Sequence, residues 1–161
     1  MRIFLLRHGE TDWNLQRRCQ GITDVDLNDR GRRQARQIAE YLSTEKINGI
    51  YSSALKRALQ TAEILGRSHG LAVTVDSDFR ELNHGAFEGL TFSDIRDSHS
   101  DFLRLWRSEP AQLMIPGGER LIDVEKRAWN GMERILKFHL PHEPVVVVSH
   151  SFPILAILCR I

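Results

Sequence analysis

Two histidines close apolar runs near opposite ends of the 161-residue chain. His8 follows Ile3-Phe4-Leu5-Leu6 and stands inside Arg7-His8-Gly9-Glu10-Thr11, and His150 follows Val145-Val146-Val147-Val148. Arg57 comes shortly after Tyr51-Ser52-Ser53, at the end of a third short apolar stretch. Two guanidinium groups, two imidazoles and a helix N-terminus near Ser53 make a concentration of donors suited to a dianionic, tetrahedral group, because Arg presents a planar fork that pairs with phosphate oxygens. Phosphate is the natural ligand. There is no Gly-rich Walker loop and no carboxylate cluster for magnesium, so the phosphate is expected to arrive on the substrate and not from a nucleotide-dependent kinase reaction.

Histidine can itself accept a phosphoryl group on one ring nitrogen while the other donates to a carbonyl that fixes the tautomer. His8 is the candidate nucleophile. Arg7, Arg57 and His150 would neutralise the equatorial oxygens without a metal. Glu81 follows Arg80 in an irregular stretch and is the candidate proton donor, since a carboxyl close to phosphate has a raised pKa; it would protonate the leaving alkoxide and then activate water. Asn14, Gln20 and Gly21 add neutral donors at the rim, as side-chain amide or backbone N–H. Of the other histidines, His84 reads as a solvated loop residue, with substrate contact as the lesser alternative, and His69 as the cap of a helix C-terminus. His99, His139 and His142 lack ligand spacing, so no metal site and no cofactor are expected. Trp106 and Trp129 read as packing.

The elements that must position these groups follow from periodicity. Residues 2–6, 47–51 and 71–75 read as strands, and Pro144 introduces the valine strand. After a polar loop over 9–26, Ala35, Ile38, Ala39 and Leu42 fall on one helical face. Ser52 or Ser53 is the expected N-cap of a helix over 55–65 that turns Ala58, Leu59, Ala62 and Leu65 inward and stops at Gly66 or Gly70. Residues 76–89 read as a loop and 92–106 as helical pieces. Pro110, Pro116, Gly117 and Gly118 interrupt them before a long helix over 121–138, and an apolar helix occupies 152–161. Strands alternating with helices predict an α/β fold: a three-layer sandwich with a mostly parallel central sheet and helices on both faces. Such sheets carry ligand sites beyond the strands' carboxyl ends, so both chain termini are expected to share one site.

Length and composition, with 42% apolar residues, suit a single domain over 1–161 with a short lid region about 90–118. The 22 Lys and Arg nearly balance the 21 Asp and Glu, so no net field steers the chain towards nucleic acid or a membrane surface. No apolar stretch is long enough to span a bilayer, and Met1-Arg2-Ile3 runs into a charged motif where a signal peptide would continue apolar, so a cytoplasmic location is expected. Cys19 and Cys159 lack CxxC spacing and read as free thiols. The expected partner is a small phosphorylated metabolite; the oligomeric state is left open, a homodimer included.

These residues resemble the histidine phosphatase superfamily, in its phosphoglycerate mutase-like branch of small phosphatases. The resemblance runs through Arg7-His8-Gly9-Glu10-Thr11 with Trp13-Asn14, Gly21 to Leu27, Gly31 to Ala35, Tyr51-Ser52-Ser53 with Leu55-Lys56-Arg57-Ala58 and Thr61-Ala62, Arg80-Glu81 with Gly85 and Glu88-Gly89, Pro116-Gly117-Gly118-Glu119, and Ser149-His150. It implies a phosphoglycerate mutase-like fold, His8 as the phosphorylated nucleophile, Arg7, Arg57 and His150 as the phosphate pocket, Glu81 as proton donor and Asn14 as a further phosphate ligand. There are two departures: Ser151 stands where the family usually has Gly, and the family's last strand beyond the final helix is absent, so the domain is read either as lacking its C-terminal segment or as an unusually short member of its class.

The function expected from residues and resemblance together is hydrolysis of phosphomonoesters, free of metal, through a phosphohistidine intermediate. The resemblance suggests an α-ribazole phosphatase-like or broad-specificity enzyme, with the leaving group chosen by Arg96, Trp106, Arg107 and Pro116 to Glu119. A phosphoglycerate mutase, which returns the phosphoryl group to another hydroxyl, is the alternative enzyme. A non-catalytic phosphate-binding regulatory domain, suggested by Ser151 and the absent segment, is the alternative without turnover.

Overall fold

The computed structural model describes residues 1–161 and holds four strands in one sheet: β1 (Ile3–Arg7), β2 (Gly49–Ser52), β3 (Val73–Val75) and β4 (Val145–Ser149). Their order is β1-β4-β2-β3 and every pairing is parallel. Helices α2 (Asp29–Tyr41) and α3 (Lys56–His69) cover one face, and α6 (Leu121–Phe138) and α7 (Ser151–Arg160) cover the other. The expected α/β sandwich is thus what forms. β4 is why the valine run has no polar alternation. Val146 and Val148 join Ala58, Ala62 and Leu65 under α3, while Val145 and Val147 join Ala128, Met132 and Ile135 under α6. Each valine is fully buried, a contribution of about 1.5–3 kcal/mol apiece.

The local reasons for the helices are mostly chemical punctuation. Asn28 caps α2 by accepting from the Gly31 N–H at 2.9 Å, and Gly70 ends α3 in the left-handed conformation, φ 65°. Three expectations change here. Gly66 stays inside α3 and is buried against Leu71, so Gly70 alone is the stop. Ile38 is exposed, because the inward stripe of α2 is Gly31, Ala35 and Ala39, continued by Leu42. Neither Ser52 nor Ser53 is the N-cap of α3: Leu55 holds that position, Ser53 Oγ accepts from the Leu55 N–H at 3.2 Å, and Asp24, from a distant loop, accepts from the Lys56 N–H at 2.7 Å.

Within the loop over 9–26, Thr11 and Asn14 form a capping box that starts a short helix, α1 (Asp12–Leu15). Residues 76–89 carry two 3₁₀ turns and bury Phe79, Leu82 and Phe87. Leu82 and Phe87, with Ile95, Ile115 and Val124, build a third apolar cluster beneath α4 (Phe92–Ser98) and α5 (Ser100–Ser108). Cys19 and Cys159 are free thiols. No helix is long and apolar enough to cross a membrane.

Candidate active site

Sheet register brings the site together. Arg7 pairs with Ser149, so the next residues, His8 and His150, leave neighbouring strands side by side; the His8 N–H donates to the Ser149 carbonyl and the Ser53 N–H to that of Val148, both at 3.1 Å. The two imidazole centroids lie 5.1 Å apart. Three strand exits, from β1, β4 and β2, therefore open at one end of the sheet.

His8 is buried, and its Nδ1 lies 2.7 Å from the Gly9 carbonyl. A carbonyl can only accept, so Nδ1 carries the proton and Nε2 keeps its lone pair. Burial above all, then the positive charges of Arg57 and Arg7, hold the pKa down at about 3, although the Gly9 carbonyl works the other way. At neutral pH the ring is uncharged. The loop behind it is tied to α3: the Gly9 N–H donates to Thr61 Oγ1 at 3.1 Å, and that hydroxyl donates to the Arg57 carbonyl at 2.8 Å.

Arg57 is wholly buried on the first turn of α3. One terminal nitrogen donates to the Thr23 carbonyl at 3.0 Å and the other to that of Gly21 at 2.6 Å. Burial lowers its pKa to about 10, against the pull of Glu81, Glu88 and Asp24, and the group stays charged at neutrality. The loop it grips is held from the other side by Glu88, which accepts from the N–H groups of Gly21, Ile22 and Thr23 and from the Thr23 hydroxyl at 2.7 Å. This corrects one expectation: the Gly21 N–H is already given to Glu88, so Gly21 serves through its carbonyl, as a holder of Arg57.

Gln20 and Asn14 lie on the same side. The Thr11 hydroxyl donates to Gln20 Oε1 at 2.8 Å, which leaves Gln20 Nε2 as the free end, and Asn14 Oδ1 accepts the Thr11 N–H at 3.1 Å, which leaves its amide nitrogen. His150 is the N-cap residue of α7 and fully buried; burial, then Arg57 and His8, keep its pKa well below the usual value. Arg7 is exposed at the rim, near enough for its charge to act on His8 and His150. Gln20 Nε2, Arg57 Nε and both ring nitrogens of His150 are buried and make no hydrogen bond within the protein. An unmade buried hydrogen bond costs about 1–3 kcal/mol. Such a group of nitrogens around one histidine is chemically a preformed cradle for an oxyanion.

Glu81 faces this cradle from the N-terminus of α7. Its Oε2 accepts from the Ser151 N–H at 3.1 Å, and Oε1 from the N–H groups of Phe152 at 3.2 Å and Leu82 at 2.8 Å. Burial raises its pKa, although these N–H groups and Arg57 draw it down. Ser151, in the place of the family's usual Gly, keeps the backbone donor that the site uses. The backbone before Glu81 hangs on Arg127, which donates to the carbonyls of Asp78 at 2.7 Å, of Arg80 and of Glu81 at 3.0 Å, and makes a two-pronged pair with Glu119 at 2.8 and 3.0 Å.

Several contributors carry no obvious mark. Thr61 and Glu88 lie inside the motif stretches but have no evident chemistry of their own. Arg127 sits on the inward stripe of α6 between Val124 and Gly131, and a charge on an apolar stripe is the signal that points to it. His84 overturns its expected solvated role: it is half-buried, with its ring edge-on to Phe152 at 5.7 Å. His139 bridges Tyr51 and Glu143 away from the site. No group of three or more His, Cys, Asp or Glu side chains is arranged to hold a metal ion.

Comparison with known proteins adds the following. The family described as the histidine phosphatase superfamily (branch 1) matches residues 3–161. Phosphoserine phosphatase 1 of Hydrogenobacter thermophilus is 35% identical over 161 residues, which is 100% of this chain and 76% of that protein. Phosphoglycerate mutase-like protein 4 of Arabidopsis thaliana is 41% identical over 152 residues, 92% of this chain and 66% of that protein. Among solved structures, mycobacterial glucosyl-3-phosphoglycerate phosphatase in complex with VO3 superposes with a TM-score of 0.86 at 36% identity, covering 97% of this chain and 78% of that one.

Proposed function

The chain belongs to branch 1 of the histidine phosphatase superfamily, and from that premise we propose that it hydrolyses small phosphomonoesters through a phosphohistidine formed on His8. The observation that carries this reading is the neutral His8 ring, with Nδ1 fixed on the Gly9 carbonyl, Nε2 left with its lone pair and the His150 ring 5.1 Å away, in a site where buried nitrogens of Gln20, Arg57 and His150 have no partner. His8 Nε2 attacks phosphorus in line, the phosphorus–oxygen bond to the alcohol breaks, and Glu81 gives its proton to the departing oxygen. Water then loses a proton to the Glu81 carboxylate and attacks the phosphohistidine. The phosphorus–nitrogen bond breaks, inorganic phosphate leaves, and Glu81 is protonated again.

Each neighbour has a role in this scheme. Arg57, Arg7 and His150, with the amides of Gln20 and Asn14, bind the phosphoryl oxygens and stabilise the charge that spreads over them in transfer. The raised pKa of Glu81 suits a proton donor working near neutrality. The substrate class is a small phosphorylated metabolite, in keeping with relatives named for phosphoserine and for glucosyl-3-phosphoglycerate. The test is His8→Ala: it should abolish both the acid-labile phosphoenzyme and the turnover of an aryl phosphate. Undiminished hydrolysis in that variant refutes the mechanism.

A further inference from the structure

Beside the phosphate cradle lies a cavity of about 200 Å³ whose wall is almost entirely apolar: nine of its ten lining residues are hydrophobic and the tenth is His84. Phe87, Phe102, Trp106 and Phe152 are among them. They form a continuous aromatic wall, with Phe87 and Phe102 4.8 Å apart, Phe102 and Trp106 5.7 Å apart, and Trp106 and Phe152 6.4 Å apart.

Two residues belong to the cavity and the cradle at once. The Phe152 N–H holds Glu81 Oε1 at 3.2 Å, while its ring walls the cavity. The His84 N–H donates at 3.2 Å to Glu88 Oε1, the carboxylate that also fixes the loop under Arg57, while its ring faces Phe152. An alcohol that takes its proton from Glu81 therefore lies next to Phe152, and its carbon skeleton meets aromatic wall. We infer that this cavity receives the leaving group, and that the preferred substrates are phosphomonoesters of apolar alcohols, carrying an aromatic ring or a short alkyl chain.

The inference rests on the proposed roles of His8 and Glu81 and adds to them the identity of the alcohol. The volume fits, since a cavity of about 150 Å³ accommodates benzene. The wall also discriminates. It contains no Lys or Arg, so a leaving group bearing a carboxylate or several hydroxyls would lose its water without gaining partners. Burial holds the His84 ring below its usual pKa, so it meets the substrate uncharged and can offer one hydrogen bond to a ring heteroatom.

The experiment uses the whole chain and methyl, ethyl, propyl, butyl and benzyl phosphates, whose alkoxides are similar leaving groups, so that kcat/KM reads the surroundings of the carbon skeleton. The expected result is a rise of about fourfold per added methylene through butyl phosphate, the factor for burying one CH₂, with benzyl phosphate well above phosphoserine. Trp106→Ala, which opens the wall to solvent, should at least halve the logarithmic slope of that series. A flat series in the unaltered protein, or phosphoserine preferred to benzyl phosphate, overturns the leaving-group cavity while the phosphohistidine mechanism stands. No turnover of any ester, together with no acid-labile phosphate on the protein, overturns both.

Discussion

Acidification from pH 7 to pH 4 should remove about 3 kcal/mol of folding stability through His8 alone. In the folded chain the ring is buried, with its pKa at about 3 against an ordinary 6.5. Unfolding frees it to take a proton at any pH below the ordinary value. A group whose folded pKa is depressed contributes stability above its unfolded pKa, and that contribution is lost as pH falls towards the folded one. At pH 4 the unfolded ring has been protonated over roughly 2.5 pH units in which the native ring has not, at about 1.4 kcal/mol per unit, hence the figure. His8→Asn is the control, because its amide N–H can still donate to the Gly9 carbonyl but it has no proton to gain. Urea unfolding of both proteins at pH 7, 5.5 and 4 gives the comparison. His150, which shares the sense of His8, and Glu81, whose raised pKa acts in the opposite sense, are present in both proteins, so burial, the main cause of both shifts, contributes alike to each. The difference in unfolding free energy between the two should shift by about 3 kcal/mol in favour of the variant. Parallel loss of stability in the two proteins would refute the buried, neutral imidazole.

Other expectations concern the groups around it. The kcat/KM for an alkyl phosphate should fall as pH rises through the raised pKa of Glu81, since the proton donor is lost; Glu81→Gln should remove that limb and reduce the rate by about 10²–10⁴-fold, less for an aryl phosphate whose leaving group needs no proton. Arg127→Met leaves the Glu119 carboxylate and three carbonyls without their donor and should cost about 3–5 kcal/mol in urea unfolding. As Arg127 acts through Glu81, it should also move the Glu81 limb of the pH profile, which general destabilisation would leave in place. Gly31→Ala drives a methyl group into the Glu10 backbone at the start of α2 and should lower stability by about 1–3 kcal/mol, read as a drop in Tm.

What was legible beforehand was what local pattern and local chemistry determine. The unbroken valines demanded a strand buried on both faces, and β4 lies between two others. The residues 121–138 read as one helix because Gly118 precedes and Pro141 follows, and α6 has those bounds. What could not be read belongs to partners distant in sequence. The start of α3 is secured by Asp24, thirty-odd residues upstream, so the nearby serines were the wrong candidates. Gly21 looked like a free donor because nothing local shows that Glu88 takes its N–H. Residues 76–89 lack a period because their apolar groups are placed by neighbours from other elements, Phe79 against α6 and Phe87 beneath α5. Glu81 could be chosen from its chemistry, yet the three N–H groups that orient it, two of them from α7, could not be foreseen.

The place of β4 in the sheet also bears on how a ribosome delivers this protein. β1 emerges well before its partner on the sheet, which is made about 140 residues later, when β4 is inserted between β1 and β2. Until then β2 and β3 can pair, while β1 has only its own apolar side chains to hide. Contacts this distant in sequence form slowly and depend on the whole intervening chain. Nascent chains stalled before Val145 should therefore be exposed to proteases and chaperones and lack any oxyanion cradle. The site would then form in one step, when β4 slots in between β1 and β2 and brings His150 against His8.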